Sequence, residues 1–214
     1  MLKRNFLRHL LGAALLAAAG AAIAAPAPKV LVLGDSLSAE YGLPRDTGWV
    51  KLLADRTRQQ GYPHEVVNAS ISGETTSGGR TRLPALLKEH RPAVVVIELG
   101  ANDGLRGLPL ATMRANLAAM IDASRAAGAK VLLVGIRVPP NYGREYSDRF
   151  FATFAELARE KKVALTPFLL DGFAEKAEFF QPDRIHPAQS AQPQMLDNVW
   201  THLRPLLGAP RDGR

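Results

Sequence analysis

The chain has 214 residues, no cysteine, 27 Lys and Arg against 20 Asp and Glu, 47% hydrophobic residues and a formal charge of +7. That length suits one domain with a sizeable core. The composition excludes an intrinsically disordered chain, a disulfide-stapled scaffold and a thiolate zinc site.

Much of the positive charge sits at the N-terminus. Lys3, Arg4 and Arg8 precede an apolar run from Leu10 to Ala19 and then small residues through Ala25, the order of a secretory signal peptide. Cleavage after Ala24 would satisfy Ala22-x-Ala24 and leave residues 25–214 as one exported domain, with three of the seven positive charges discarded. The apolar run is shorter than the ~20 residues a membrane span needs. The expectation is therefore a periplasmic or secreted protein with no stable membrane anchor after cleavage, and a monomer. No Lys/Arg run or aromatic-interleaved basic stripe remains, so no nucleic-acid partner is expected. Without thiols, stability in an oxidising compartment must come from the core.

The first apolar run of the mature part, Val30 to Leu33, reads as a strand buried on both faces and ends in Leu33-Gly34-Asp35-Ser36-Leu37-Ser38. A serine just past a buried strand is a candidate nucleophile, although a serine there also caps helices. The α/β-hydrolase elbow G-x-S-x-G is not met, because Ser38 occupies the place of its second glycine. Helical spacing follows from Trp49 to Gln60, with Gly61 just beyond its end. A second strand over Glu65 to Val67 leads into Asn68-Ala69-Ser70-Ile71-Ser72-Gly73-Glu74. There Gly73 can bring a backbone N–H close to a ligand, or simply make a turn.

Helical spacing resumes from Ser77 to His90, and Ala93 to Leu99 gives a third strand followed by Gly100-Ala101-Asn102-Asp103-Gly104. Asn102 could offer a side-chain amide, though Asn-Asp-Gly is also turn chemistry. The loop Gly104-Leu105-Arg106-Gly107-Leu108-Pro109 precedes a helix from Leu110 to Ala127 and a fourth strand from Lys130 to Ile136. After that strand, Val138 to Tyr146 includes Pro139, Pro140 and Tyr142, which suit a second wall. A helix from Ser147 to Lys161, a strand from Val163 to Thr166 and a last helix from Gln192 to Leu207 complete the pattern. Alternating strands and helices predict a doubly wound α/β sandwich around a five-stranded parallel sheet, with ligands at the carboxyl ends of the strands.

Before the last helix stands Pro182-Asp183-Arg184-Ile185-His186-Pro187. A serine hydroxyl needs an imidazole to take its proton and a carboxylate to hold that imidazole in the right tautomer. Three residues of loop let Asp183 reach one ring nitrogen of His186 while the other faces outward. An incidental Asp and His in a surface loop would look the same. Yet Ser36, Gly73 and Asn102 follow the first three strands, and the Asp-His pair arrives on the same sheet edge. No second His or carboxylate cluster accompanies that pair, which argues against a metal.

These four blocks, Gly34-Asp35-Ser36-Leu37-Ser38, Ser70-Ile71-Ser72-Gly73-Glu74-Thr75, Gly100-Ala101-Asn102-Asp103 and Asp183-x-x-His186, resemble the SGNH, or GDSL-type, hydrolases. Within that family the chain looks similar to the acyl thioesterase, arylesterase and lysophospholipase group. The resemblance implies a flavodoxin-like three-layer fold and an ester or thioester hydrolysis that uses no metal and no cofactor. It also implies Ser36 as nucleophile, His186 as general base and Asp183 as its orienter. The Ser36 and Gly73 N–H groups and the Asn102 amide would form the oxyanion hole. Ala101 departs from the glycine more usual before the Asn.

By the same resemblance, Gly104, Leu105, Arg106, Gly107 and Leu108 border an acyl groove. Pro140 and Tyr142 are expected in another wall, and Phe179 and Phe180 in a third. Medium to long acyl chains are therefore expected on small-molecule esters, thioesters or lysophospholipids. A carbohydrate or short-chain acetylesterase of the same superfamily, and a noncatalytic periplasmic binding protein, remain as other readings. A flavin- or phosphate-binding domain is disfavoured, since neither G-x-G-x-x-G nor a Walker motif follows the first strand.

Overall fold

The computed structural model describes residues 26–211; the N-terminal leader expected from the sequence lies outside them. Five strands, β1 (Lys29–Gly34), β2 (Glu65–Asn68), β3 (Val94–Glu98), β4 (Lys130–Val134) and β5 (Ala164–Thr166), form one sheet in the order β2-β1-β3-β4-β5. Every neighbouring pair is parallel. This is the flavodoxin-like order, with its switch point between β1 and β3. The three central strands are buried along nearly their whole length, which is why their Val, Ile and Leu residues run without alternation.

Helices α1 (Trp49–Gln59) and α6 (Gln192–Leu207) pack on each other over one face of the sheet. Helices α2 (Thr76–His90), α4 (Leu110–Ala126) and α5 (Arg144–Lys161) cover the other. The five-stranded α/β sandwich expected from the sequence is thus the fold observed. Helix α5 begins three residues earlier than its apolar spacing suggests, because Arg144, Glu145 and Tyr146 form a polar first turn after Gly143.

One helix is not legible in the pattern. Residues that read as turn chemistry form α3 (Ala101–Leu105), because a tertiary bond overrides the local preference. The Asp103 carboxylate is buried and accepts from the Thr76 N–H at 2.8 Å and the Thr76 hydroxyl at 2.5 Å. One side chain thereby ties the start of α2 to α3 and fixes the loops after β2 and β3 together.

Register finishes the placement. Gly34 pairs with Glu98 and Val32 with Asn68, so β1, β2 and β3 release their chains side by side. Ser36 comes two residues after Gly34, and Asn102 four residues after Glu98.

Candidate active site

Ser36 stands half-buried in the turn that ends β1. Its hydroxyl lies 2.9 Å from Nε2 of His186, and Nδ1 of His186 lies 2.6 Å from Oδ2 of Asp183. The second carboxylate oxygen of Asp183 accepts from the backbone N–H groups of Ile185 at 2.9 Å and His186 at 3.0 Å, an Asx turn that holds the acid inside its own loop. Burial tends to raise the Asp183 pKa, but those two N–H groups and the imidazole outweigh it and bring the carboxyl down to about 2. A carboxylate can only accept, so Nδ1 of His186 donates to it and Nε2 is left to accept the Ser36 proton.

The Asp-His loop is held from outside as well. Phe180 and Pro187 form an isolated antiparallel bridge, and the Gln181 N–H donates to the His186 carbonyl at 2.8 Å. The Gln181 side-chain amide donates to the Tyr41 carbonyl at 2.8 Å and the Pro187 carbonyl at 3.2 Å. Gly42 makes room for this strap, since a Cβ there would stand 2.1 Å from the Gln181 amide oxygen. The ring of Tyr41 lies over the imidazole with centroids 4.4 Å apart.

Further hydrogen-bond donors stand on the turns that leave β1, β2 and β3. Among the described residues, the N–H groups of Ser36 and Gly73 have no protein acceptor, a rarity for backbone donors at a half-buried site. Gly73 has φ +80°, a conformation that costs glycine nothing. Its carbonyl accepts from the Arg106 guanidinium at 2.9 Å. The Asn102 amide spends one hydrogen on the Asp35 carboxyl at 3.0 Å and keeps the other.

Beneath the site lies a pair of buried acids that the motif pattern does not single out. Asp35 and Glu98 are almost fully shielded, and Glu98 accepts from the Ser38 hydroxyl at 2.7 Å. Burial pushes Asp35 up to about 6 and raises Glu98 well above the carboxylate range, with Asp35 pushing it further. A sequence signal for the pair does exist, since Glu98 is the single charged residue in an otherwise apolar strand.

A cavity of about 650 Å³ opens at Ser36, Asn102 and His186 and runs along Leu105, Ile136, Val138, Phe151, Phe168, Leu170 and Phe180. Of the loop residues expected from the sequence, Leu105 lines it. Gly104 is buried against Val138 and Phe150, Arg106 reaches back to Gly73, and Gly107 and Leu108 are exposed. Pro140 opens a 3-10 turn ending at Tyr142, whose hydroxyl donates to the Leu105 carbonyl at 2.9 Å. Tyr142 does not itself line this cavity; it holds the backbone of Leu105, which does. Phe179 packs on Phe173, with ring centroids 5.7 Å apart. Arg137 also lines the cavity, its guanidinium 4.0 Å from the Phe151 ring centroid and 5.0 Å from that of Phe168. Nothing in the sequence pattern points to that cluster.

A serine, an imidazole and a carboxylate in line, with free donors on the neighbouring turns, can carry acyl transfer. Comparison with known proteins agrees with that chemistry. A family model described as the GDSL-like Lipase/Acylhydrolase family matches residues 32–192. The chain belongs to that family. It is a hydrolase of ester bonds. It is 54% identical over 183 residues to the esterase TesA of Pseudomonas aeruginosa PAO1, spanning 86% of this chain and 91% of that protein. It is 44% identical over 184 residues to the thioesterase 1/protease 1/lysophospholipase L1 of Escherichia coli K12, spanning 86% and 87%. Among solved structures, the psychrotrophic esterase EstA of Pseudoalteromonas sp., inhibited by monoethylphosphonate, superposes with a TM-score of 0.80 at 42% identity, covering 85% of this chain and 99% of that one.

Asn102→Ala tests the amide directly. Loss of one preorganised oxyanion donor is expected to lower kcat by on the order of 10² to 10³ with little change in KM. Steady-state kinetics on a p-nitrophenyl ester measures it. An unchanged kcat would remove Asn102 from the site.

Proposed function

We propose that this GDSL-family hydrolase cleaves carboxylic esters and thioesters of medium to long acyl chains through an acyl-enzyme on Ser36. The observation that carries the reading is the unbroken line from Asp183 through His186 to Ser36, at 2.6 and 2.9 Å, at the mouth of a cavity walled mainly by apolar side chains. In the first half, the Ser36 oxygen bonds to the substrate carbonyl carbon while its proton passes to Nε2 of His186. The carbonyl oxygen takes up the charge between the N–H groups of Ser36 and Gly73 and the amide of Asn102. The C–O or C–S bond then breaks as His186 returns the proton to the leaving alcohol or thiol. In the second half, His186 takes a proton from water as the water oxygen attacks the acyl carbon; the bond from that carbon to the Ser36 oxygen then breaks as His186 returns the proton to Ser36, freeing the acid. The names of the relatives, esterase and thioesterase/lysophospholipase, support the same substrate classes. The N-terminal basic head and apolar run support export before the enzyme acts.

Intact-mass measurement after a serine-directed fluorophosphonate tests the nucleophile. One adduct is expected, absent in Ser36→Ala. A wild-type chain that takes up no reagent would mark a noncatalytic binding protein. A panel of p-nitrophenyl esters and matching thioesters from two to about sixteen carbons, a span set by the apolar lining, tests the acyl preference. The expected kcat/KM rises from acetate toward the middle or longer chains. A maximum at acetate would reject the apolar groove in favour of an acetylesterase.

A further inference from the structure

The large apolar side chains that remain exposed among the described residues are Tyr41 at 50%, Ile71 at 47%, Ile185 at 44% and Leu108 at 38%. They stand on four different loops, after β1, after β2, after α3 and in the Asp-His turn. All four loops meet at the candidate active site. The Ile71 N–H donates to the Gly34 carbonyl, Tyr41 lies on His186, Arg106 joins the Leu108 loop to Gly73, and Ile185 lines the cavity. Isolated exposed hydrophobics scattered over a surface need no explanation; gathered round one opening, they mark an interaction site.

On the same loops, free cations outnumber free acids. Asp35, Glu40, Glu74, Asp103 and Asp183 all have hydrogen-bond or ion-pair partners inside the protein. Among the described residues, Asp46 on these loops and Glu175 on the cavity lining present carboxylates without such a partner, against the exposed guanidinium of Arg137 on the same lining. Arg45, Arg106 and Arg184 stand exposed on the loops, with no carboxylate in ion-pair range. An apolar ring with surplus cations is the composition that seats in the headgroup boundary of an anionic lipid layer.

We infer that this rim is a docking surface for an anionic lipid aggregate, which would feed acyl chains into the cavity without passage through water. The inference deepens the proposed acyl-hydrolase reading and is tested apart from it. Ser36→Ala chain, chosen to keep hydrolysis of the lipid to a minimum, is floated with phosphatidylglycerol vesicles and with phosphatidylcholine vesicles at low and high salt. Binding to phosphatidylglycerol is expected, weaker at high salt and weak to phosphatidylcholine. Adding Ile71→Ser and Arg45→Ser should lower that binding by about tenfold or more, since both apolar burial and headgroup attraction are removed. In the otherwise wild-type chain the same two changes should leave turnover of a short soluble ester unaltered, which also shows that the pair folds.

No flotation with either vesicle, equal binding to both, or binding indifferent to the two substitutions would overturn the inference. So would a concentration-dependent dimer in sedimentation velocity that the substitutions abolish, because the rim would then bind a second copy. If flotation fails while wild-type chain still takes up fluorophosphonate, docking alone is wrong. If flotation succeeds without an adduct, the hydrolase mechanism is what fails.

Discussion

Ser36→Ala should fold as the wild type does and lose essentially all turnover, with kcat down by on the order of a millionfold. The side-chain bond that Ser36 makes is to Nε2 of His186. The residue is half-buried at a strand end and its hydroxyl supports no core packing. The catalytic cost is large because the covalent half-reactions have no other oxygen to start from. The oxyanion donors survive the change, so residual hydrolysis by bound water should remain measurable above the uncatalysed rate. Thermal unfolding and steady-state kinetics on one purified pair decide it. A folded Ser36→Ala chain with wild-type turnover would remove the serine from the mechanism, and with it the acyl-enzyme.

Much of this site is legible in the amino-acid sequence, for a physical reason. Parallel strands buried on both faces are continuous apolar runs, so β1, β3 and β4 announce themselves, and the doubly wound rule then sends Ser36, Gly73, Asn102 and the Asp-His loop to one edge. What is not legible depends on contacts between segments distant in sequence. The α3 turn forms because Asp103 finds Thr76 across 27 positions. Arg137 stacks on Phe151 and Phe168 only because α5 and the segment after β5 bring the two rings to it. Gln181 reads as an ordinary loop residue until Gly42 is seen to make way for it. The loop expected as an acyl wall contributes Leu105 to the cavity, while Arg106 turns back toward Gly73. A glycine- and leucine-rich composition does not say which side of a loop faces inward.

Asp183→Asn carries the second largest expected loss, on the order of 10⁴ in kcat. The carboxylate does two jobs at once. One oxygen gathers the N–H groups of Ile185 and His186, and the other receives Nδ1–H of His186. An asparagine has a single acceptor oxygen. If that oxygen keeps the two backbone donors, its amide nitrogen faces Nδ1 and donates to it. The imidazole must then carry its proton on Nε2, and Ser36 meets a donor where it needs an acceptor. If the amide flips to satisfy the imidazole, two backbone N–H groups lose their partner, and the loop that Phe180, Gln181 and Pro187 hold in place is strained. Either way the loss falls on kcat, because the cavity walls are untouched and KM should stay within a few fold. The wild-type pH profile bears on the same point. With the Asp183 carboxyl held down to about 2, it stays ionised throughout mild acid and protonates only as the pH falls toward that value. Loss of activity in mild acid therefore cannot be its titration. Kinetics of Asp183→Asn across neutral pH, beside the unfolding temperature, provide the check. A variant that retains wild-type kcat would show that His186 needs no carboxylate and would leave the Asp-x-x-His spacing with a structural role alone.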